Sequence, residues 1–261
     1  MPAKASRAAF GEALLDLGSK DERIVTVDGD LSKSTMTRTF ARTYPARAFN
    51  VGIAESGMIG LAAGLALAGR VPFACSFACF LVGRFETIRV SVAYTRAPVK
   101  LVGTHVGVAI GEDGYSQMGL EDMACLRALP NIPIVQPADE IETRQAVAFA
   151  VDYPGPLYLR LTRQSLEPVH DAGYRFQFGK ADLLRSGRDV PFSLRAAPSP
   201  TPSSPPARLP RRGWRPRCSM SPPSSRSTRM ASSARRARRD ASSPWRTTAS
   251  TAGSAAPSPS S

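Results

Sequence analysis

Segments with helical patterns and segments with strand patterns alternate along the chain up to about residue 165. Apolar residues recur at helical spacing in SRAAFGEALLDLG, whereas RIVTVDGD is a short β-branched run that ends in turn residues. Further strand patterns follow in ARAFNVG, VPFACSF, VKLVGTH, IPIVQPAD and PLYLRLTR, each separated from the next by a helical segment. Strands that alternate with helices favour a parallel sheet with helices packed on it. We therefore predict an α/β fold built on a mostly parallel sheet.

The helical segments between these strands are predicted as continuous helices over residues 33–44, 55–69, 80–95, 120–129 and 140–152. In a parallel sheet, ligand-contacting groups gather in the loops beyond the carboxyl ends of the strands. Four segments of this sequence occupy such positions: Asp28–Ser34, Gly52–Glu55, His105–Gln117 and Arg163. We expect the residues that contact a ligand to lie in these segments.

The composition changes abruptly after about residue 190. The chain has a formal net charge of +13, yet residues 192–261 hold 13 Arg, one Asp and no Lys or Glu, so the preceding part is nearly neutral. The same stretch has 18 Ser and 12 Pro, a composition that cannot bury enough apolar area to fold alone. We predict a domain over residues 1–170, a linker over 171–190, and a disordered basic tail over 191–261.

Charge, cysteine spacing and hydropathy bear on the class of protein. A basic tail can bind the phosphate backbone of nucleic acids, so a non-catalytic nucleic-acid-binding protein is one hypothesis, although only the tail supports it. The four cysteines show no metal-ligand spacing, and Cys75 and Cys79 lie in an apolar run, which favours buried free thiols. The N-terminal segment lacks the long apolar region of a signal peptide, and the uncharged run 71–83 is shorter than the ~20 residues of a membrane span. We predict a cytoplasmic protein that contacts neither nucleic acid nor a membrane.

One acidic residue interrupts the apolar segment FNVGIAESGMIGLAAGLALAGR at residues 49–70. Glu55 stands where every neighbour is small or apolar, and burying a carboxylate is costly unless a partner compensates for it. By itself, this residue has two equally good explanations. It is either a helix-start carboxylate favoured by the helix dipole or a buried functional acid.

Six segments together resemble a known family. They are ASRAAFGEAL, VDGDLSKST, FNVGIAESGMIGLAAGLAL, PFACSFACF, THVGVAIGEDGYSQMGLEDMACLRALPNI and LYLRLTRQ, in the order seen in the pyrimidine-binding domain of transketolases. The resemblance covers about residues 5–185. It implies a thiamine diphosphate-binding fold and a subunit of an enzyme that transfers a two-carbon ketol unit between sugar phosphates. Related alternatives are a 1-deoxyxylulose-5-phosphate synthase-like chain and the β subunit of a 2-oxo acid dehydrogenase.

The resemblance also implies a set of cofactor contacts. Glu55 matches the catalytic glutamate that hydrogen-bonds the aminopyrimidine ring of thiamine diphosphate, and an apolar setting helps an acid that must share a proton. Phe77 and Phe80 match aromatic residues that line the aminopyrimidine pocket, where a flat ring stacks well. Asp30 and Leu31 match a pair that contacts the cofactor. No metal ligand is expected on this chain.

A second set of matched residues concerns the substrate. Arg7, Ser34, His105 and Arg163 match positions that bind the sugar phosphate, and two guanidinium groups suit the charge-assisted, bidentate binding of a phosphate. Asp113 matches a residue that contacts a substrate hydroxyl group. In addition, Gln117 stands where many transketolases have histidine, so a neutral hydrogen-bonding group replaces a proton-transfer group there.

Transketolases hold the diphosphate and its divalent metal ion on another domain, which carries a GDG motif that this sequence lacks. The resemblance therefore implies an N-terminal partner chain that binds the diphosphate together with Mg²⁺ or Ca²⁺. It also implies assembly as a homodimer or a heterotetramer.

The tail stands where the family has a third α/β domain. Synonymous codons can be chosen for two segments of the tail so that reading one base earlier gives a different product. In that frame SMSPPSSRSTRMASS becomes LDVPSIKPIDEDGIL, and DASSPWRTTASTAG becomes RVVTVEDHSIYGG. Both products resemble runs of that third domain in the right order, and the fixed Met and Trp codons fit. We hypothesise that a frameshift near residue 190 replaced the third domain with out-of-frame sequence. A genuine basic tail is the alternative.

Overall fold

The computed structural model describes residues 3–180, together with the backbone of two short paired strands at Val190–Phe192 and Pro216–Cys218. Most of the predicted linker and basic tail, residues 181–189, 193–215 and 219–261, lies outside the described residues. Within residues 3–180 the strands are β1 (Lys4–Ala5), β2 (Ile24–Asp28), β3 (Ala48–Asn50), β4 (Val71–Phe77), β5 (Lys100–Thr104), β6 (Ile134–Val135), β7 (Leu157–Arg160) and β8 (Ser165–Leu166). The α-helices are α1 (Ser6–Gly18), α2 (Ser32–Thr35), α3 (Arg38–Thr43), α4 (Glu55–Leu67), α5 (Ala78–Val82), α6 (Phe85–Ile88), α7 (Asp122–Arg127) and α8 (Glu140–Asp152).

Six of these strands form one sheet in the order β3-β2-β4-β5-β7-β6, and every pairing within it is parallel. The predicted α/β fold with a parallel sheet is therefore confirmed. The chain moves from β2 to β3 on one side and then crosses to β4 on the other side of β2. This change of direction places a topological switch point between β2 and β4, which is where open α/β sheets leave a crevice for ligands.

Helices cover both faces of the sheet. On one face α4, α5, α6 and α7 pack through a core that includes Met58, Ile59 and Leu81. On the other face α1, α3 and α8 pack around Phe10, Phe40 and Phe73, which are fully buried. Because burying one such side chain stabilises the fold by about 1.5–3 kcal/mol, these two cores hold the strand ends in fixed positions.

Two predicted helices are interrupted. Residues 33–44 form α2 and α3 with a break at Met36, whose φ of +69° is a left-handed conformation that ends a helix. The buried carboxylate of Asp28 accepts hydrogen bonds from the hydroxyl groups of Thr35 and Thr37 on both sides of this break. The predicted helix 80–95 is likewise divided, into α5, α6 and a π-helix at Arg89–Tyr94.

The predicted strand IPIVQPAD is shorter than expected, since only Ile134–Val135 joins the sheet. This strand lies at the edge of the sheet, and Pro137 cannot donate a ladder hydrogen bond.

Residues after β8 continue to pack against the domain. Asp139 precedes α8, and its carboxylate accepts hydrogen bonds from the backbone N–H groups of Val169 and His170. Phe149 in α8 stacks on Phe178.

Three cysteines lie within residues 3–180, and all three are free. Cys75 is buried, as predicted, whereas Cys79 and Cys125 are only half-buried. Burial raises the pKa of the Cys79 thiol to about 11, so this thiol stays protonated at neutral pH. No helix among the described residues has the length and apolar character needed to cross a membrane.

Candidate active site

The predicted site residues follow the carboxyl ends of the central strands. Asp30 and Leu31 come after β2, Phe77 and Phe80 come at the end of β4 and in α5, and His105 follows β5. Glu55 begins α4, which runs back from the carboxyl edge of the sheet to the start of β4. These positions surround the switch point between β2 and β4, so the fold brings together segments that are far apart in sequence.

Glu55 is a buried acid without a partner among the described residues. Its relative exposure is 6%, and its carboxylate makes no hydrogen bond or ion pair with any residue from 3 to 180. A Cβ atom added at Gly29 would lie 3.5 Å from Oε1 of Glu55, so the loop after β2 lies directly against the carboxylate. Its position in the first turn of α4 offers the favourable end of the helix dipole. A largely buried acid whose carboxylate has no hydrogen-bond donor within residues 3–180 suits a ligand that supplies one.

The loop after β2 is held by the carboxylate of Asp28. One oxygen accepts from the backbone N–H of Leu31, and the other accepts from the hydroxyl groups of Thr35 and Thr37. Burial is the main cause that raises the pKa of Asp28, while these three donors act in the opposite direction. Asp30 is exposed and adopts a left-handed conformation with φ of +66°. The loop therefore presents Asp30 and Leu31 from a braced backbone.

Aromatic rings line the neighbouring part of the site. The rings of Phe77 and Phe80 stack with 5.4 Å between centroids and 15° between planes. Phe77 also contacts the imidazole of His105, with 3.7 Å between ring centroids. Phe77 is buried and Phe80 is half-buried, so the second ring leaves part of an aromatic surface available to a flat ligand.

Arg7 connects α1 to Ser34, in the segment after β2, and to His105. Its Nη1 atom donates to the backbone oxygen of Ser34 at 2.8 Å and lies 3.4 Å from Nε2 of His105. Burial, followed by the nearby charge of Arg163, lowers the pKa of Arg7. Burial and the charges of the same two arginines lower the pKa of His105 to about 4, so this imidazole is neutral at physiological pH.

The pairing of β1 with β8 brings the two arginines to the same region. Lys4 and Ala5 pair with Leu166 and Ser165, and the backbone N–H of Thr162 donates to Oγ of Ser6 at 2.7 Å. These contacts fix the residues that precede Arg7 and Arg163. The structure therefore places both predicted guanidinium groups, as well as His105, around one pocket edge.

Arg163 is already engaged within the chain. Its Nη1 atom donates to Oδ2 of Asp113 at 2.6 Å and to the backbone oxygen of Ile110. These contacts tie the loop 106–119 to the strand end after β7. In the same loop, Gln117 is half-buried in a short 3₁₀ turn. The predicted substrate residues Asp113 and Arg163 thus lie in direct contact.

Several supporting residues were not predicted from the sequence. Arg160 at the end of β7 donates to both oxygens of the buried Asp122 and to the backbone oxygen of Gly119, which anchors the loop 106–119. Thr104 contacts Nδ1 of His105 at 2.9 Å. Asn50 at the end of β3 hydrogen-bonds the loop after β2. The one available signal was their position at strand ends, because a polar residue closing a buried strand needs a partner.

Within residues 3–180, no group of three or more His, Cys, Asp or Glu side chains is arranged to hold a metal ion. The residues present instead offer one buried acid, two stacked aromatic rings and a pair of guanidinium groups. That donor set fits an aromatic ring with a proton to share and an anionic group beside it.

Comparisons with known proteins identify the domain. Residues 3–168 match the family model described as "Transketolase, pyrimidine binding domain". A protein of Methanocaldococcus jannaschii named "Putative transketolase C-terminal section" is 42% identical over 205 residues, which cover 74% of this chain and 65% of that protein. A protein of Phocaeicola vulgatus, named as one of the subunits of an apulose-4-phosphate transketolase, is 39% identical over 188 residues, with coverage of 71% and 60%.

Among solved structures, the chain is similar to one titled "Split gene transketolase, inactive beta4 tetramer". The two share 43% sequence identity with a TM-score of 0.66, and the match covers 74% of this chain and 62% of that one. The chain therefore spans less than two thirds of the length of these relatives. The family match, the parallel sheet and the site at its switch point agree, and the chain belongs to the transketolase pyrimidine-binding domain family.

Proposed function

We propose that this chain is the pyrimidine-binding subunit of a split transketolase that uses thiamine diphosphate to move a two-carbon ketol unit between sugar phosphates. The observation that carries this proposal is the buried carboxylate of Glu55, which has no partner within residues 3–180 and lies at the switch point of a transketolase-family domain. When bound, thiamine diphosphate supplies the nucleophilic carbon that accepts the ketol unit. The protein supplies binding, orientation and proton control.

Glu55 would hold a proton shared with the aminopyrimidine ring. Its side chain is largely buried and makes no hydrogen bond within residues 3–180, so a ring nitrogen can engage it without displacing another protein donor. The low-dielectric setting strengthens that hydrogen bond. Phe77 and Phe80 would support the face of the ring, and Asp30 and Leu31 would contact the cofactor from the loop after β2. These groups fit an aminopyrimidine by shape, by polarity and by their common position.

Arg7 and Arg163 would bind the anionic end of the substrate. Both are partly buried, and each lowers the pKa of His105, so their charges act on one region. A phosphate monoester suits two guanidinium groups because charge-assisted hydrogen bonds are stronger than neutral ones. Ser34, Asp113 and the neutral His105 would complete the site with polar contacts. This cationic end suits a phosphorylated sugar and therefore favours a sugar-phosphate enzyme over a 2-oxo acid dehydrogenase, whose substrate has no phosphate group.

A partner chain would complete the active site. The sequence has no GDG motif, so the diphosphate and its metal ion would be held by a separate N-terminal subunit. The exposed face of α4 offers a surface for assembly. It contains Gly57, Gly60, Leu61, Gly64 and Leu67, and no charged residue lies between Glu55 and Arg70. The similar split-gene structure is described as a β4 tetramer. We propose that this chain also associates with itself through α4 when its partner is absent.

The test is to substitute Glu55 in a complex reconstituted with a diphosphate-binding transketolase subunit. Glu55→Gln should reduce turnover of xylulose 5-phosphate with ribose 5-phosphate by about 100-fold or more, because it removes an acid–base group. Glu86→Gln alters an exposed glutamate in the first turn of α6 and should leave the rate unchanged. The Glu55 carboxylate makes no hydrogen bond or ion pair within residues 3–180, so Glu55→Gln should lower the free energy of unfolding by no more than about 1 kcal/mol, the size of the helix-dipole contribution that it removes.

The same assay distinguishes the alternatives. This chain alone should show no turnover, since one stacking contact and one hydrogen bond supply roughly 2–3 kcal/mol, far less than the ~8 kcal/mol of micromolar binding. Near-normal turnover by the Glu55→Gln complex would contradict the assigned role. Turnover of pyruvate instead of xylulose 5-phosphate would support the dehydrogenase or synthase alternative.

A further inference from the structure

Asn50 makes three hydrogen bonds from one side chain at the carboxyl end of β3. Its Oδ1 atom accepts from the backbone N–H of Asp30 at 3.1 Å and from the backbone N–H of Gly52 at 3.0 Å. Its Nδ2 atom donates to Oδ1 of Asp30 at 3.0 Å. One amide group therefore links the loop that follows β2 with the loop that leads into α4.

Both linked residues have a positive φ, which is costly for Asp30 and is readily adopted by Gly52. Asp30 has φ of +66° and Gly52 has φ of +73°, which is the left-handed region. For a residue with a Cβ atom this conformation costs about 1–2 kcal/mol, and it persists only where surrounding contacts determine it. The Oδ1 atom of Asn50 satisfies the N–H group of each residue, so it supports both turns at once.

These two loops carry the proposed cofactor contacts. Asp30 lies on the first loop, and Gly52 is three residues before Glu55 on the second. The two loops also meet directly, because a Cβ atom at Gly29 would lie 3.5 Å from Oε1 of Glu55 and 3.7 Å from the backbone oxygen of Gly52. A change in the spacing of the loops would therefore move Asp30 relative to the carboxylate of Glu55.

We propose that Asn50 is a positioning residue for the cofactor site. It acts through Asp30 and Gly52, whose relative placement it fixes, and makes no contact with the cofactor itself. This role rests on the proposed function, since it assumes that Asp30 and Glu55 contact thiamine diphosphate.

Two substitutions separate the acceptor and donor parts of this role. Asn50→Ala removes all three hydrogen bonds. Asn50→Asp keeps an acceptor for the two backbone N–H groups but loses the donor and places a second carboxylate against Asp30. In the full chain without cofactor, amide hydrogen exchange at Asp30 and Gly52 should accelerate in Asn50→Ala and stay close to the original rate in Asn50→Asp. Unchanged exchange in Asn50→Ala would overturn the proposal.

The second measurement is the affinity for thiamine diphosphate, determined by calorimetry on the complex with a diphosphate-binding subunit. Both variants should bind about tenfold more weakly, the loss expected when one or two hydrogen bonds no longer hold Asp30. Asn131→Ala is the matched control, because Asn131 also donates a side-chain hydrogen bond, to the backbone oxygen of Ala93, but precedes β6 at the opposite edge of the sheet. Asn131→Ala should change stability without changing affinity.

The outcomes distinguish the two proposals. If the original complex binds thiamine diphosphate and both Asn50 variants bind it equally well, Asn50 has no positioning role while the proposed function stands. If the original complex does not bind it, the proposed function fails, and the role of Asn50 fails with it. A loss of affinity in Asn131→Ala equal to that in the Asn50 variants would show a general effect of stability and would also overturn the assignment.

Discussion

His105 shows how the environment sets the state of a single side chain. A guanidinium group can only donate, so Nε2 of His105 accepts from Arg7, and its Nδ1–H group donates a hydrogen bond to Oγ1 of Thr104. The sequence places this histidine after a strand. Burial, followed by the charges of Arg7, 98 residues away in the chain, and of Arg163, lowers its pKa and keeps it neutral. Contacts between residues so far apart in the chain cannot be predicted from the local sequence pattern. The ends of the strands can be predicted from it.

A pH-dependent stability follows from this histidine. Its pKa in the folded protein is about 4, below the ordinary value of 6.5, so the unfolded chain binds a proton that the folded chain excludes. Stability is therefore lost as the pH falls from about 6.5 towards about 4, by at most about 1.4 kcal/mol per pH unit for one proton. Urea unfolding of His105→Gln between pH 4 and 7.5 should show a flatter dependence than the original chain. Parallel curves would contradict this assignment.

At the scale of elements, segments shaped by local interactions can be predicted from the sequence, whereas segments shaped by contacts between distant residues cannot. The helices α1 and α8 and the strand β4 have the predicted bounds, because their apolar periodicity is local and regular. The break between α2 and α3 was missed because it depends on the buried carboxylate of Asp28, which binds the hydroxyl groups on both sides of Met36. The predicted site segments come together because they follow strand ends, and the sequence pattern indicates where strands end. The proposed positioning role of Asn50 depends on contacts between two loops, which only the structure shows.

Helix α4 has glycines that the fold of this chain does not explain. A Cβ atom at Gly60 or Gly64 would meet no atom of residues 3–180 within 4 Å, although glycine within a helix costs roughly 0.5–1 kcal/mol relative to alanine. The exposed face also includes Leu67, with 66% relative exposure. An apolar helix face of small residues suits close packing against another helix.

Substitutions at Gly60 test the proposed assembly surface. Gly60→Ala should raise the free energy of unfolding of the dissociated chain by roughly 0.5–1 kcal/mol, because it improves helix propensity without a clash. Gly60→Leu should weaken self-association, measured by analytical ultracentrifugation, because the larger side chain prevents close approach. Thr39→Leu adds an apolar side chain at an exposed position of α3 on the opposite face of the sheet and should leave association unchanged. Equal association of all three variants would exclude α4 as the contact surface.

At the scale of the whole molecule, the comparisons leave an unmatched part on both sides. The alignment with the Methanocaldococcus jannaschii relative covers 74% of this chain and 65% of the relative. A chain that simply lacked a domain would leave only the relative with an unmatched part. Here an Arg-, Ser- and Pro-rich stretch stands after residue 191 instead. This mutual mismatch is the pattern expected when the coding frame changes within a gene.

We propose that the frameshift lies within the segment VPFSLRA at residues 190–196. It can be encoded as GTC CCA TTC TCG CTG CGG GC, and one A inserted after GTC converts the product to VTILAAG. That product is an apolar, β-branched run followed by glycine, which is typical of a strand that enters a turn. Sequencing of the gene and its transcript should show that one base added at codon 191 opens a frame with LDVPSIKPIDEDGIL and RVVTVEDHSIYGG downstream. The restored chain should unfold cooperatively with a larger dependence on denaturant, because a third domain exposes more surface on unfolding. A gene in which no single-base change near codon 190 opens such a frame would show that the basic tail is genuine.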